Sequence, residues 1–313
     1  MIRIPNYESK LSRRDFLKVA AAVTAGLSIG RAYPVYASEA PTGQTWGVLI
    51  DVSRCTGCHS CALACKESNN LPQSSVAPGA LDAVTYTFVD TRQVVTASGE
   101  IETRYVKRQC MHCLDAACVS ACPAAAMHSS GEGPVIYRAS RCLGCRYCQL
   151  ACPFGVPRFN WENGVNPVIN KCWMCYTRLG AGKMPACVEA CPTGALRFGW
   201  RDELLAQAHA QIASNPGRYV NYVFGEFEVG GTSMLYLSDV PFEQLGFPTG
   251  LPQTAPPEET EKIMSKLPFV IGGVAAVMTG TAVYTHRSSA HPVGEGEPAA
   301  SIRTLCPADD QEE

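Results

Sequence analysis

The chain is poor in charge and has no bias of sign. Charged residues fill 17% of its 313 positions, and 26 Lys and Arg against 28 Asp and Glu give a formal net charge of −2. A nucleic-acid partner calls for a basic stripe, which this balance does not provide. Also missing are a Gly-rich dinucleotide loop, a phosphate-binding P-loop and a nucleophile elbow, so the chain shows no catalytic apparatus of its own. Apart from a modest apolar run near the N-terminus, only Leu267–Thr285 is long and charge-free enough to cross a bilayer.

Cysteine is the exception, with 17 residues. Sixteen of them form four groups of four. The first is Cys55-x2-Cys58-x2-Cys61-x3-Cys65, and the second is Cys110-x2-Cys113-x4-Cys118-x3-Cys122 followed by Pro123. The third is Cys142-x2-Cys145-x2-Cys148-x3-Cys152 before Pro153, and the fourth is Cys172-x2-Cys175-x11-Cys187-x3-Cys191 before Pro192. Three closely spaced thiolates can hold three corners of a cubane, while a fourth Cys before a proline ligates the neighbouring cluster in two-cluster ferredoxins. Sixteen thiolates therefore predict four 4Fe–4S clusters with none left over. Zinc sites pair two short C-x2-C units across a longer gap and have no use for a third Cys three residues on. A disulfide scaffold suits small exported domains with poor cores, and cysteines at i, i+3 and i+6 make awkward disulfide partners. Cys306 stands apart as a spare thiol.

A short β-like run introduces each group: Trp46–Asp51, Tyr105–Lys107, Val135–Tyr137 and Pro167–Ile169. Ala-rich or Pro/Gly segments follow the later groups, as in Cys122–Ala126 and Cys191–Ala195. Strand, cluster loop, short helix, strand is the half-module of a bacterial ferredoxin, and its repetition predicts an α+β fold of two ferredoxin-like modules over residues 42–204. Spacing alone does not decide which groups share a module. Residues 69–104, with Thr/Val-rich strands around Val84–Val95, are expected as an inserted β-hairpin cover. Residues 205–258 are expected as an extension and linker, with a helix over Arg201–Ile212 leading in and a Pro-rich stretch at 248–257.

Both ends carry targeting signals. Ser12–Lys18 fits the twin-arginine pattern S-R-R-x-F-L-K, and Val35-Tyr36-Ala37 offers a small-residue cleavage site, so residues 1–37 are expected as an export signal. At the other end, residues 267–285 are expected to cross the membrane as one helix. Gly272, Ala276 and Gly280 recur on one face of it, which lets a second transmembrane helix approach closely. Residues 288–313, rich in Pro, Ala, Glu and Asp, are expected to be disordered.

The sixteen-cysteine grammar, with its Cys55–Lys66 run CTGCHSCALACK and the long-gap fourth group, resembles the four-cluster iron–sulfur subunits of bacterial respiratory complexes. Those complexes include molybdenum or tungsten formate dehydrogenases, sulfoxide-type reductases and periplasmic nickel–iron hydrogenases. The resemblance covers roughly residues 42–250. The Gly231–Leu237 segment GTSMLYL followed by an anchor is similar to formate dehydrogenase β subunits and to the membrane-anchored hydrogenase subunit. A twin-arginine signal on the same chain favours the hydrogenase type. The resemblance implies interleaved modules with a nested pairing: Cys55, Cys58, Cys61 with Cys191; Cys65 with Cys172, Cys175, Cys187; Cys110, Cys113, Cys118 with Cys152; and Cys122 with Cys142, Cys145, Cys148. It also implies a non-catalytic relay at the periplasmic face of the inner membrane. One partner would be a catalytic hydrogenase or dehydrogenase subunit, and the other an integral quinone-binding subunit. A protein whose clusters only hold the fold is the alternative from another class.

Six cations lie within two residues of the ligands: Arg54, Lys66, Arg108, Arg141, Arg146 and Lys171. A cation beside an anionic cubane stabilises its reduced state, although loop charges of this kind are equally read as solvated. His59, His112 and His128 read as surface or packing residues, and Trp161 and Trp173 as shielding or core aromatics.

Overall fold

The computed structural model describes residues 43–73, 77–96, 98–161 and 169–288. The export signal, the tail beyond 288 and Cys306 lie outside these residues. The first elements are β1 (Trp46–Asp51), α1 (Ser60–Ser68), β2 (Phe88–Val95), β3 (Ile101–Arg108), α2 (Ala117–Ser120), β4 (Met127–Ser129) and β5 (Val135–Tyr137). Next come α3 (Tyr147–Ala151), β6 (Arg158–Phe159), β7 (Ile169–Asn170), α4 (Tyr176–Gly180), α5 (Ala186–Glu189) and β8 (Leu196–Trp200). Then follow α6 (Arg201–Ser214), β9 (Met234–Leu237), α7 (Pro256–Met264) and α8 (Leu267–Ser288). The chain forms two units, divided after residue 260.

In the first unit β1 is a nearly unbroken apolar run, which suits a central strand buried on both faces. It pairs antiparallel with β8, Trp46 opposite Trp200, and parallel with β9, Val48 opposite Met234. Residues 205–258, expected as an extension, thus supply a strand to the central sheet. Alternation divides the sheet's side chains between two faces. Leu49, Leu235 and Leu237 pack against Leu204, Ala208 and Ile212, spaced one helical turn apart on α6. Val48, Ile50, Met234 and Tyr236 belong to the core on the opposite face, and that face carries the cysteines.

The hairpin cover differs from its expected bounds. It pairs β2 with β3, Val95 opposite Ile101, so its return strand is the same Tyr105–Lys107 run that introduces the second cysteine group. Val84 lies outside it because its backbone N–H bonds to the Asp82 carboxylate at 2.7 Å, holding the chain in a turn. Arg104 locks the hairpin to the C-terminal segment through Asp239 at 2.6 Å. Two smaller hairpins, β4–β5 and β6–β7, enclose a second core of Ala126, Met127, Val135, Tyr137, Phe159 and Ile169.

In the second unit, α8 is about 33 Å long at about 1.5 Å per residue. Its side chains from Leu267 to Thr285 are exposed throughout, including Phe269, Val277 and Met278.

Candidate metal centres

The four cysteine loops share a backbone device. The residue before the second cysteine of every group is left-handed: Gly57 at φ 71°, His112 at 49°, Gly144 at 68° and Met174 at 53°. In the two C-x2-C-x2-C groups the residue after that cysteine is left-handed as well, His59 at 58° and Arg146 at 62°. After the three Cys-Pro pairs come Ala125, Gly155 and Gly194, again left-handed, each donating its N–H to the carbonyl of the preceding group's last cysteine. Alternating handedness turns successive N–H groups into one concavity, an anion-binding nest. Several reach sulfur directly: Gly144 to Cys142 at 3.4 Å, Met174 to Cys172 at 3.3 Å, Ala126 to Cys122 at 3.2 Å and Val156 to Cys152 at 3.5 Å. Such bonds favour the thiolate over the thiol. Gly57 has a second reason to be glycine, because a Cβ there would meet the Tyr105 ring at 2.5 Å.

The tertiary structure then gathers the cysteines across groups. Cys55, Cys58, Cys61 and Cys191 line one cavity. Cys65, Cys172, Cys175 and Cys187 line another. A third is lined by Cys122, Cys142, Cys145 and Cys148. Of the remaining four, Cys113 and Cys118 each interact electrostatically with Cys110 and Cys152. Antiparallel pairing explains why the first group meets the fourth: β1 runs into Cys55 and β8 runs out of Cys191, with Asp51 N–H bonded to the Ala195 carbonyl at 2.8 Å. The β4–β5 hairpin, Met127 opposite Tyr137, does the same for Cys122 and the third group.

Neighbouring cysteines tie the four sets together. Cys61 interacts with Cys187, Cys172 with Cys110, and Cys118 with Cys148, linking each set to the next. Cys58 and Cys145 are exposed. No disulfide joins any of the sixteen. Burial pushes Cys61 up to about 11 and Cys65 and Cys148 up to about 12, whereas the Ser60 hydroxyl draws the exposed Cys58 down. The buried thiols stay protonated on their own and release protons when a cationic metal group binds.

Two buried ammonium groups lie among them. Lys171, 2% exposed, donates to the carbonyls of Val135 and Cys172 and acts electrostatically on Cys118 and Cys152. Lys107, 4% exposed, lines both of the first two cavities. Burial works against the charged form of Lys107, while Coulombic attraction to the Cys187, Cys61 and Cys172 sulfurs, once these are anionic, works the other way and prevails. Three residues before Cys110, Lys107 falls outside the set of ligand-adjacent cations. Its signal in the sequence is a lysine within a strand-like run. Most of that expected set turns elsewhere. Arg54 caps the Thr193 carbonyl, Lys66 those of Pro72 and Val84, and Arg108 that of Leu245. Arg146 stacks over Trp161 and Phe159, and Arg141 is exposed.

The donors around the cavities fit a 4Fe–4S cluster. His112 is fully buried, and its Nδ1 accepts from Val135 N–H at 3.0 Å, which leaves a buried Nε2–H without a partner among the described residues. His59 Nδ1 and Trp173 Nε1 are likewise buried and unpartnered, and these residues line the first and second of the cavities. Four thiolates and spare N–H donors suit a polyanionic group rich in sulfur acceptors. Among the described residues no three His, Cys, Asp or Glu side chains converge on a single ion, as zinc with its ligands at about 2.3 Å would require. Trp161 is 67% exposed and is a surface residue, not a core aromatic.

Comparison with known proteins agrees with this geometry. Residues 101–201 match the 4Fe-4S dicluster domain, residues 46–67 the 4Fe-4S binding domain, and residues 10–30 the twin-arginine translocation pathway signal sequence. A protein of Nitratidesulfovibrio vulgaris Hildenborough is 40% identical over 96% of this chain and 85% of its own length. The hydrogenase-2 operon protein HybA of Escherichia coli O157:H7 is 31% identical over 91% of this chain and 98% of its own. The iron–sulfur subunit of the nitrate-inducible formate dehydrogenase of Escherichia coli K12 is 37% identical over 60% of this chain and 66% of its own. The chain belongs to the family of 4Fe–4S electron-transfer subunits of bacterial oxidoreductase complexes, which are not the catalytic subunits of those complexes.

Proposed function

We propose that this chain holds four 4Fe–4S clusters and relays electrons along them between a periplasmic catalytic dehydrogenase, of hydrogenase type, and a quinone-reactive membrane subunit. The observation that carries the reading is that cysteines from different groups line common cavities, with Cys58 and Cys145 exposed to partners. The ligand sets are the nested ones: Cys55, Cys58, Cys61 and Cys191; Cys65, Cys172, Cys175 and Cys187; Cys110, Cys113, Cys118 and Cys152; Cys122, Cys142, Cys145 and Cys148. Bound there, each cluster supplies a site that takes up and returns one electron. The protein's own part is to fix the order of the sites, exclude water from the inner ones and set the charge around each.

The preference for a hydrogenase rests on coverage. The match to HybA runs over 91% of the chain, whereas the match to the formate dehydrogenase subunit covers 60%. A formate dehydrogenase β subunit, or that of another molybdoenzyme-type reductase, is the alternative. The twin-arginine signal favours export, and α8 is long enough for the hydrocarbon core of about 30 Å. Its uniformly exposed apolar surface fits lipid or a neighbouring membrane helix. In this arrangement the folded unit lies on the periplasmic side.

Anaerobic purification in gentle detergent tests the reading. The expected result is about sixteen irons per chain, four per cluster, with a catalytic and an integral membrane subunit co-purifying. Zinc in place of iron, or fewer than four clusters after full reconstitution, overturns the assignment. A co-purifying molybdoenzyme decides for the alternative.

A further inference from the structure

The strongest unassigned feature outside the thiol sets is the side chain of Lys107. It stands on β3, a strand of the hairpin cover, opposite Val89, and is one of the few charged groups in the interior. Its ammonium group faces the two cavities lined by Cys55, Cys58, Cys61 and Cys191 and by Cys65, Cys172, Cys175 and Cys187. Among the described residues no carboxylate bonds it: Nζ donates to Gln109 Oε1 at 2.8 Å. Gln109 Nε2 donates in turn to the Tyr236 hydroxyl at 2.8 Å, and that hydroxyl returns a bond to the Lys107 carbonyl at 2.8 Å. All three residues are buried. The ring fixes the ammonium through neutral partners, and the charges set against it are those of the cysteine sulfurs that line the two cavities.

A buried, unpaired ammonium is expensive unless an anion stands close by. Two tetrathiolate clusters would be such anions, and a single fixed cation between them acts on both through a low-dielectric interior. We infer that Lys107 is a shared counter-charge for the first two cluster sites, raising both of their reduction potentials together, and that Gln109 and Tyr236 are the residues that position it. The inference rests on the four-cluster reading. It predicts a pairing the ligand grammar does not contain: two clusters whose potentials move in concert and two that do not. Lys171 does not supply the same effect to the first site, because its Nζ is held by the carbonyls of Val135 and Cys172, between the second and third sets.

The test is a potentiometric titration followed by electron paramagnetic resonance on the intact complex carrying Lys107→Gln. With four clusters still assembled, two midpoint potentials should fall, each by at least tenfold in its reduction equilibrium, or about 59 mV for one electron. The other two should stay in place, and Lys107→Arg should restore most of the shift. Should Lys107→Gln fail to assemble, Gln109→Glu keeps the lysine and sets a carboxylate against it, and the same two potentials should drop. Four clusters with unchanged potentials in a variant that assembles, or a uniform shift of all four, overturns the role of Lys107. A parent protein with fewer than four clusters would instead overturn the reading beneath it. The two failures are therefore distinguishable by iron content alone.

Discussion

Two halves of the folded unit use the same cysteine grammar in different surroundings. The half built from the first and fourth groups lies against a three-stranded sheet backed by α6 and covered by the β2–β3 hairpin. The half built from the second and third groups rests on two short hairpins, and its outermost set borders solvent. There Leu143, Tyr147, Leu150 and Trp161 are exposed around Cys145. The charge differs as well. Lys107 stands between the two cavities of the first half, while Lys171 acts on Cys118 and Cys152 of the inner set of the second. Cysteine lines the cavities of both halves, and burial and fixed charge are what vary. Since cluster potential follows solvent exposure, hydrogen bonds and nearby charge, the halves should not be redox equivalents.

The largest effect should come from breaking the cross-group pairing within each half. Cys55→Ser and Cys191→Ser should remove the same resonance signal, and Cys110→Ser and Cys152→Ser should share a different one. Distinct signals lost by the two members of either pair would show that the nested assignment is mistaken for that half. Next in size is Lys171→Met. It leaves the buried carbonyls of Val135 and Cys172 without a donor, at about 1–3 kcal/mol for each. Cluster bleaching in denaturant should accelerate, and the second half should lose its chromophore before the first. Simultaneous bleaching at the parent rate would mean that Lys171 does not hold the halves' junction.

Smaller differences sharpen the comparison. Gly57 and Gly144 occupy equivalent left-handed positions, so alanine at either costs about 1–2 kcal/mol of backbone strain. Gly57→Ala also meets the Tyr105 ring. It should therefore destabilise more than Gly144→Ala in thermal denaturation, and equal losses would show that the ring gives way freely. The least effect is expected of Trp161→Ala, which removes the stacking of Arg146 at 4.2 Å from an exposed ring. About 0.5–1 kcal/mol is at stake, and midpoint potentials should not change.

Much of the site was legible in the sequence because ligand spacing is a local property. A cubane loop is wrapped by residues within one short segment, so the cysteine spacing of each group, with Pro123, Pro153 and Pro192, announces it directly. The strand over Trp46–Asp51 and the helix beginning at Arg201 were legible for the same kind of reason, an unbroken apolar run and a one-turn periodicity. The hairpin was misplaced because Val84 reads as a strand residue, while the Asp82 side chain beside it makes a turn. Trp161 was read as a shielding or core aromatic on residue type alone, but its side chain is 67% exposed.

What the sequence determined by itself is the chemistry: sixteen thiolates in cubane spacing, an export signal, and one apolar segment long enough to span a bilayer. Tertiary structure decided the order and the environment. Which last cysteine lines the cavity of which triplet depends on pairings such as β1 beside β8, which spacing does not encode. Whether a lysine is solvated or shared between two cavities depends on the pleat of β3 and on Gln109 and Tyr236 meeting it from distant parts of the chain. Ligation is set within a few residues, whereas burial and electrostatics are sums over everything folded around them.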